Sequence, residues 1–296
     1  MTTIKNKKDF SAEEAIALNN RKILTRNFSR VVLYIFLAVS SFFMLVPFFW
    51  MILSSLKTYR ELFLIPPSIF PNTWAFENYV LMWGMSPWVL YFFNTAFITV
   101  LTILGQIVTC SLAAYAFARL KFRGRDVIFY IFLGTMMIPF QTIMIPQFMI
   151  IRQLGWMNTH AALIVPSIFS AFGTFMLRQF FLSIPRDLED AAKIDGCSYP
   201  KIYYEIIMKN SVPAIMTLVI FTFMGTWNEF LRPLIFLQRQ ELWTLSLGLA
   251  RFQGTYITLW NQMMAGALIT MIPVLLVFLF AQRYFVQGIV MSGIKE

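Results

Sequence analysis

Few residues in this chain are equipped for chemistry. Its 296 positions hold 14 acidic side chains, one histidine and two cysteines. His160 has no Cys or acidic cluster beside it, and a single imidazole does not make a protein metal site. No G-x-x-x-x-G-K-[ST] run is present, so the chain has no such loop for the phosphates of ATP. Two stretches stand out instead. In Trp227-Asn228-Glu229 an aromatic face adjoins amide and carboxylate acceptors, the usual means of holding a sugar. Glu229 is the one carboxylate within a predicted apolar span, and an ionisable group at that depth is a functional candidate by default. A structural alternative stands beside it. Glu229 follows Ser211 by 18 residues, about 27 Å of helix, which puts it toward a membrane edge, and Arg232 is close enough in sequence to pair with it.

The second stretch runs from Ser183 to Pro200. Pro185 suits the first turn of a helix, Asp187, Glu189 and Asp190 favour the positive end of its dipole, and Gly196 is the expected stop. Ser198 and Pro200 then start a second helix through Tyr203 and Ile207. Leu188, Ala191, Ala192 and Asp195 fall at i, i+3, i+4 and i+7 and share one face, made flat by the two alanines. Such a short helix is marginal alone in water. It is either a rigid knob for a partner's cleft or an ordinary connecting loop.

The surrounding elements must be membrane spans. The chain is 58% hydrophobic and 13% charged, against about 25% charged in soluble domains; the mean hydropathy is +0.67. A soluble enzyme and a disordered chain are both excluded by this balance. Charge-free runs occupy Val31–Leu56, Asn78–Ala118, Val127–Ile151, Gln153–Leu177, Asn210–Asn228 and Phe252–Gln282. About 20 helical residues cross the hydrocarbon layer, and solid apolar runs exclude the alternating pattern of a barrel. The predicted spans are 31–55, 89–117, 127–148, 161–182, 211–234 and 261–283. With the N-terminus inside, the inner segments carry 18 Lys and Arg and the outer segments 6, which places both termini in the cytoplasm. That asymmetry accounts for the net charge of +10 without nucleic acid. No early apolar core or cleavage site suggests a removable leader. Cys110 and Cys197 imply no disulfide framework.

The expected organisation is a basic arm (1–30), a first span and outer loop (31–87), a five-helix core (88–283) containing the inner segment 183–210, and a tail (284–296). Gly105, Gly134, Gly173, Gly225 and Gly266 allow close helix approach. Pro47, Pro139, Pro146, Pro166 and Pro273 permit kinks. Asn94, Gln141, Asn228 and Asn261 are polar residues at membrane depth and join Trp227 and Glu229 as candidates to line a solute path. No Ser, His and Asp set assembles on one membrane face, and a membrane enzyme would need carboxylates or histidines clustered there. A secondary transporter or channel with Glu229 in its path is the alternative; it would normally show inverted repeats, and none is evident.

Glu189-Asp190-Ala191-Ala192-Lys193-Ile194-Asp195-Gly196 resembles the "EAA---G" motif of bacterial ABC importer permeases, with Asp190 where Glu is usual. Ala113–Arg119 with Phe122–Arg125, Pro66–Pro71, and the closing Ala281–Gly288 and Ser292–Lys295 are similar to segments of carbohydrate-type permeases, nearest to the smaller permease of maltose-type importers. The resemblance implies an all-α, MetI-like type I permease core in the bacterial plasma membrane, non-catalytic and binding no cofactor itself. It implies a second homologous permease, two ATPase subunits that bind ATP and Mg, and an extracellular sugar-binding protein. It makes Leu188, Glu189, Asp190, Ala191, Ala192, Asp195 and Gly196 the ATPase-coupling residues, and Lys295 and Glu296 candidate further contacts.

Overall fold

The computed structural model describes residues 12–254 and 256–293, with side chains over 26–254 and 256–282. Among the described residues there is no β-strand. The helices are α1 (Ala12–Ser55), α2 (Glu77–Met85), α3 (Trp88–Arg119), α4 (Arg125–Gly134), α5 (Phe140–Gln153), α6 (Ala161–Ser167) and α7 (Ala171–Ser183). They continue with α8 (Asp187–Ile194), α9 (Tyr199–Ile202), α10 (Val212–Trp227), α11 (Leu231–Phe236), α12 (Leu245–Ala250) and α13 (Trp260–Gly293). Helix α9 widens into a π-helical turn over Tyr203–Met208. Among the described residues four helical stretches are long and apolar enough to cross a bilayer, and two bent pairs pass the same test as units.

Several expected boundaries move. The predicted span 127–148 is α4 and α5, bent by 101° where Ile138 and Pro139 leave the helix, because a proline disfavours helical backbone before it and offers no N–H. The span expected at 211–234 ends at Trp227, and the chain turns before α11 begins. The loop expected at 57–87 contains α2. The basic arm is helical from Ala12 onward, continuous with the first span, and α13 carries the described part of the tail to Gly293.

Helix α3 is the centre of the bundle and lies against α4, α6, α7, α10 and α12. Its role follows from the break between α6 and α7. A helix interrupted inside hydrocarbon leaves carbonyls without partners, at several kcal/mol each. Here α3 supplies donors. Gln106 Nε2 donates to the Ser167 carbonyl at 2.7 Å, Thr109 Oγ1 to that of Ile168, and Cys110 Sγ to that of Ser170 at 3.5 Å. Ser170 also caps α7, its hydroxyl accepting from the Gly173 N–H at 3.0 Å. The two backbones approach this closely because position 105 is glycine. A Cβ there would fall 2.3 Å from Ile168 Cγ2.

At the end away from α8, α3 is tied to the segment before α12. Asn94 Nδ2 donates to the carbonyls of Glu241 and Trp243 at 2.8 and 3.0 Å, and Thr95 Oγ1 accepts the Leu245 N–H at 2.9 Å. Asn78 of α2 performs a similar task for α1 and α13. Its amide donates to the carbonyls of Ser55 and Lys57 and accepts from Asn261 at 2.7 Å. Helix α1 packs on α13 with none of its most apolar stretch buried.

Gly105→Ala is expected to cost about 1–3 kcal/mol through overpacking, read as a lowered midpoint of thermal unfolding in detergent. Gly134→Ala, whose added carbon meets nothing within 4 Å, is the control expected to leave the midpoint in place.

Candidate functional site

Two regions of the fold gather the residues singled out by sequence. The first is α8. Its chain reverses at Gly196 in a Schellman turn: the Cys197 N–H bonds the Ala192 carbonyl at 2.9 Å and the Gly196 N–H bonds that of Lys193 at 3.0 Å. This turn needs a left-handed residue, and Gly196 has φ +77°. Three of the four residues expected to share one face are exposed together, and the fourth, Ala192, is not. Ala192 and Glu189 point into the bundle and are buried, while Leu188, Ala191 and Asp195 are exposed together with Ile194, which is 86% exposed. The inward face is set by a cation on another helix. Arg119 Nε lies 2.8 Å from Glu189 Oε1, and both side chains are buried. Asp190 faces out and pairs with Lys193 at 2.7 Å, which holds the carboxyl below and the amine above their ordinary ranges. Exposed pairs of this kind contribute little stability, so the outward surface of α8 is apolar residues flanked by adjustable charge. Beneath α8 and α9 lies a core of Cys110, Ala114, Leu177, Phe181, Tyr203 and Ile207.

The second region is a cleft of about 300 Å³ between α3, α6, α7 and α10, reaching the turn before α11. Gln106, Ser167, Thr222, Thr226, Glu229 and Arg232, with Thr95, Ser170 and Thr244, supply its polar lining. Gln106 Oε1 accepts from Thr222 Oγ1 at 2.7 Å. The expected Glu229–Arg232 side-chain pair is not formed. Helix α10 stops at Trp227, so helical spacing no longer relates the two residues. Arg232 Nη1 instead donates to Ser167 Oγ at 2.7 Å, its guanidinium sits 5.0 Å from the Phe140 ring centre, and its Nε is buried without a partner. Glu229 Oε1 lies 3.5 Å from the Arg232 backbone nitrogen.

Of the six residues expected along a solute path, Glu229 lines this cleft. Trp227 is buried, stacks on Phe223 with centroids 5.2 Å apart and donates its indole N–H to the Thr270 carbonyl. Asn228 is exposed and bonds back to the Met224 carbonyl. Asn94 and Asn261 are taken up in the clamps described above, and Gln141 is exposed just after the α4–α5 bend. Sequence reasoning did not single out Gln106 for the solute path. It missed Ser167, Thr222 and Thr226, whose hydroxyls are too common in membrane helices to signal anything alone. Lys295 and Glu296 lie outside the described residues.

The segment after α1 is organised by a buried anion. Glu61 accepts the backbone N–H groups of Thr58, Asn72 and Thr73 at 3.1, 2.9 and 3.3 Å. Burial pushes its pKa up, but these backbone amides outweigh that and hold it below the ordinary value.

This arrangement is an all-helical core of apolar helices around a cleft, and the comparisons with known proteins say which family builds it. Residues 106–291 match the family described as "Binding-protein-dependent transport system inner membrane component", and the chain belongs to it. It is a multi-pass protein of the bacterial inner membrane. It is 33% identical to the arabinooligosaccharides transport system permease protein AraQ of Bacillus subtilis (strain 168), over 90% of this chain and 96% of that one. Identity is also 33% to the lactose transport system permease protein LacG of Rhizobium radiobacter, over 91% and 98%. To the sn-glycerol-3-phosphate transport system permease protein UgpE of Pectobacterium atrosepticum (strain SCRI 1043) it is 32%, over 79% and 86%. The fold matches a chain from the crystal structure of a bacterial ABC transporter involved in the import of the acidic polysaccharide alginate, with a TM-score of 0.75 at 22% identity, covering 88% of this chain and 98% of that one.

A carboxylate whose folded pKa is lowered stabilises the fold above its unfolded pKa, and that contribution is lost as pH falls through the folded value. The amides of Asn72 and Thr73 are therefore expected to lose exchange protection, corrected for intrinsic rate, as pH falls below about 4.3, the ordinary glutamate pKa. Glu61→Gln is expected to produce the same loss at neutral pH, measured by hydrogen exchange with mass spectrometry.

Proposed function

We propose that this chain is one membrane subunit of an ATP-driven importer that carries an oligosaccharide into the cell. In this reading it crosses the membrane six times, each bent pair counting as one crossing, with both termini in the cytoplasm. The Lys and Arg distribution supports that orientation, since 18 of 24 then lie inside. Its partners are a homologous second permease, two cytoplasmic ATPases that hold ATP and Mg, and an extracellular sugar-binding protein.

The observation that carries the reading is α8: a short helix, reversed by Gly196 and anchored by Glu189, that turns Leu188, Ala191, Ile194 and Asp195 outward. A helix this small does not expose such a face for its own stability. It docks in a cleft of the ATPase, with Asp190 and Lys193 at the rim. Closure of the ATPase pair then drives the docking helices together, and the bundle passes between two discrete arrangements. The cleft at Gln106, Thr222, Thr226 and Glu229 is this subunit's share of the solute path. The sugar assignment draws on relatives named for arabinooligosaccharides and lactose and on the hydroxyl, amide and carboxylate groups in the cleft.

Deleting the gene and measuring uptake of radiolabelled arabinotriose, lactose and maltose tests the cargo; unchanged uptake of all three would count against the sugar assignment. Gly196→Pro, which cannot adopt a positive φ, and Ala192→Trp, which cannot fit against the bundle, are expected to cut uptake roughly tenfold or more, the scale of a 1–3 kcal/mol coupling, while the chain still inserts. Full uptake by both variants would remove α8 from the mechanism. Glu229→Ala is expected to lower uptake with the ATPases still bound; unchanged rates would make Glu229 structural.

A further inference from the structure

Arg119 is the last residue of α3, and nothing in the motif of α8 points to it. It is 3% exposed at the side chain and makes contacts in three directions. Nε meets Glu189 of α8 at 2.8 Å. Nη2 donates to the carbonyls of Phe181 and Ile184, the latter at 2.6 Å, where α7 ends. One planar guanidinium thus joins the ends of α3 and α7 to α8. A second tie lies two turns back on α3: Ser111 Oγ and Tyr203 Oη are 2.6 Å apart and buried, linking α3 to the π-helical turn that follows α9. The two ties flank the reversal at Gly196, so the segment is held on both sides of its turn by the same helix.

We propose that Arg119 is a positioning residue for energy coupling: through its buried pair with Glu189 it makes α8 move with α3 as one rigid unit. The inference rests on the reading of α8 as the docking element. Without the pair, α8 is an eight-residue helix whose remaining inward side chain is Ala192. An alanine can slide on the bundle. A buried carboxylate beside a guanidinium that two α7 carbonyls also hold resists sliding, because leaving either charge unpaired away from water is costly. Helix α3 in turn carries Gln106, whose amide holds both the α6–α7 break and Thr222 in the cleft. The pair therefore sits where a displacement of α8 enters the helix that organises the solute path.

The test uses the full complex, purified from membranes with its ATPases and spin-labelled at two places. One label is on the partly exposed native Cys197, directly after the reversal; the other is on Val100→Cys, an exposed position of α3 about 28 Å along the helix from Arg119. Pulsed dipolar spectroscopy reads the distance without nucleotide and with Mg-ATP. The expected result is one narrow distance, unchanged by Mg-ATP. Arg119→Gln is expected to broaden it without nucleotide and to shift it with Mg-ATP, as α8 follows the ATPase and α3 stays behind. Glu189→Gln, the milder variant should Arg119→Gln fail to fold, is expected to do the same, and the double variant to add nothing further. A role in fold stability alone would lower the unfolding midpoint and leave the distance narrow. A narrow, nucleotide-independent distance in both single variants, or a wild-type distance that shifts with Mg-ATP, overturns the proposal. Loss of the ATPases from the wild-type complex, or full uptake by Gly196→Pro, would instead overturn the docking reading; the nucleotide-free distances judge the Arg119–Glu189 tie in either case.

Discussion

A hydrocarbon interior offers no water to a backbone carbonyl, and this fold contains several breaks that expose carbonyls to it. The architecture depends on how those groups are satisfied. At the α6–α7 break the donors all come from one turn of α3, Gln106, Thr109 and Cys110, and Gly105 lets the break approach closely enough to reach them. Asn94, Gln106, Thr109 and Arg119 of α3 are committed to neighbouring backbone, and that commitment makes α3 the common partner of the helices around it. Gln106 has a second commitment, to Thr222, and that places it in the cleft.

The same logic operates at the edge of the bundle with charge instead of amide. Arg119 satisfies two terminal carbonyls of α7 and uses its remaining edge for Glu189. Glu61 collects three backbone N–H groups in the segment after α1. In both places a buried ion is tolerated because peptide dipoles surround it, and in both it fixes a segment whose large apolar side chains are mostly exposed.

Much of this was legible in the sequence, and the losses have common causes. Charge-free runs located the long apolar helices because hydrocarbon rejects charge whatever the packing. Gly196 announced the reversal because only a left-handed residue completes that turn, a local demand. The face of α8 was legible in part. Periodicity put Leu188, Ala191, Ala192 and Asp195 on one face, whereas Arg119, 70 positions earlier, draws Glu189 in and Ala192 turns inward with it, leaving the other three outside. Pro139 signalled a break but carried no angle, which depends on what each half packs against. Trp227-Asn228-Glu229 had the composition of a binding site, yet the Thr270 carbonyl captures the indole and the Met224 carbonyl the amide. Pairing Glu229 with Arg232 assumed a helix that had already ended.

Helix α3 is held at both ends, by Asn94 at one and by Arg119 at the other, 25 residues apart. Gln106 lies 12 residues from the first and 13 from the second. If the Asn94 clamp serves as a fulcrum, a sideways push delivered at Arg119 turns the helix as a lever, and Gln106 travels about half as far as the point of delivery. The molecule then has a fixed gearing of roughly two to one between its inner rim and its middle, set by where an asparagine and an arginine fall on one helix.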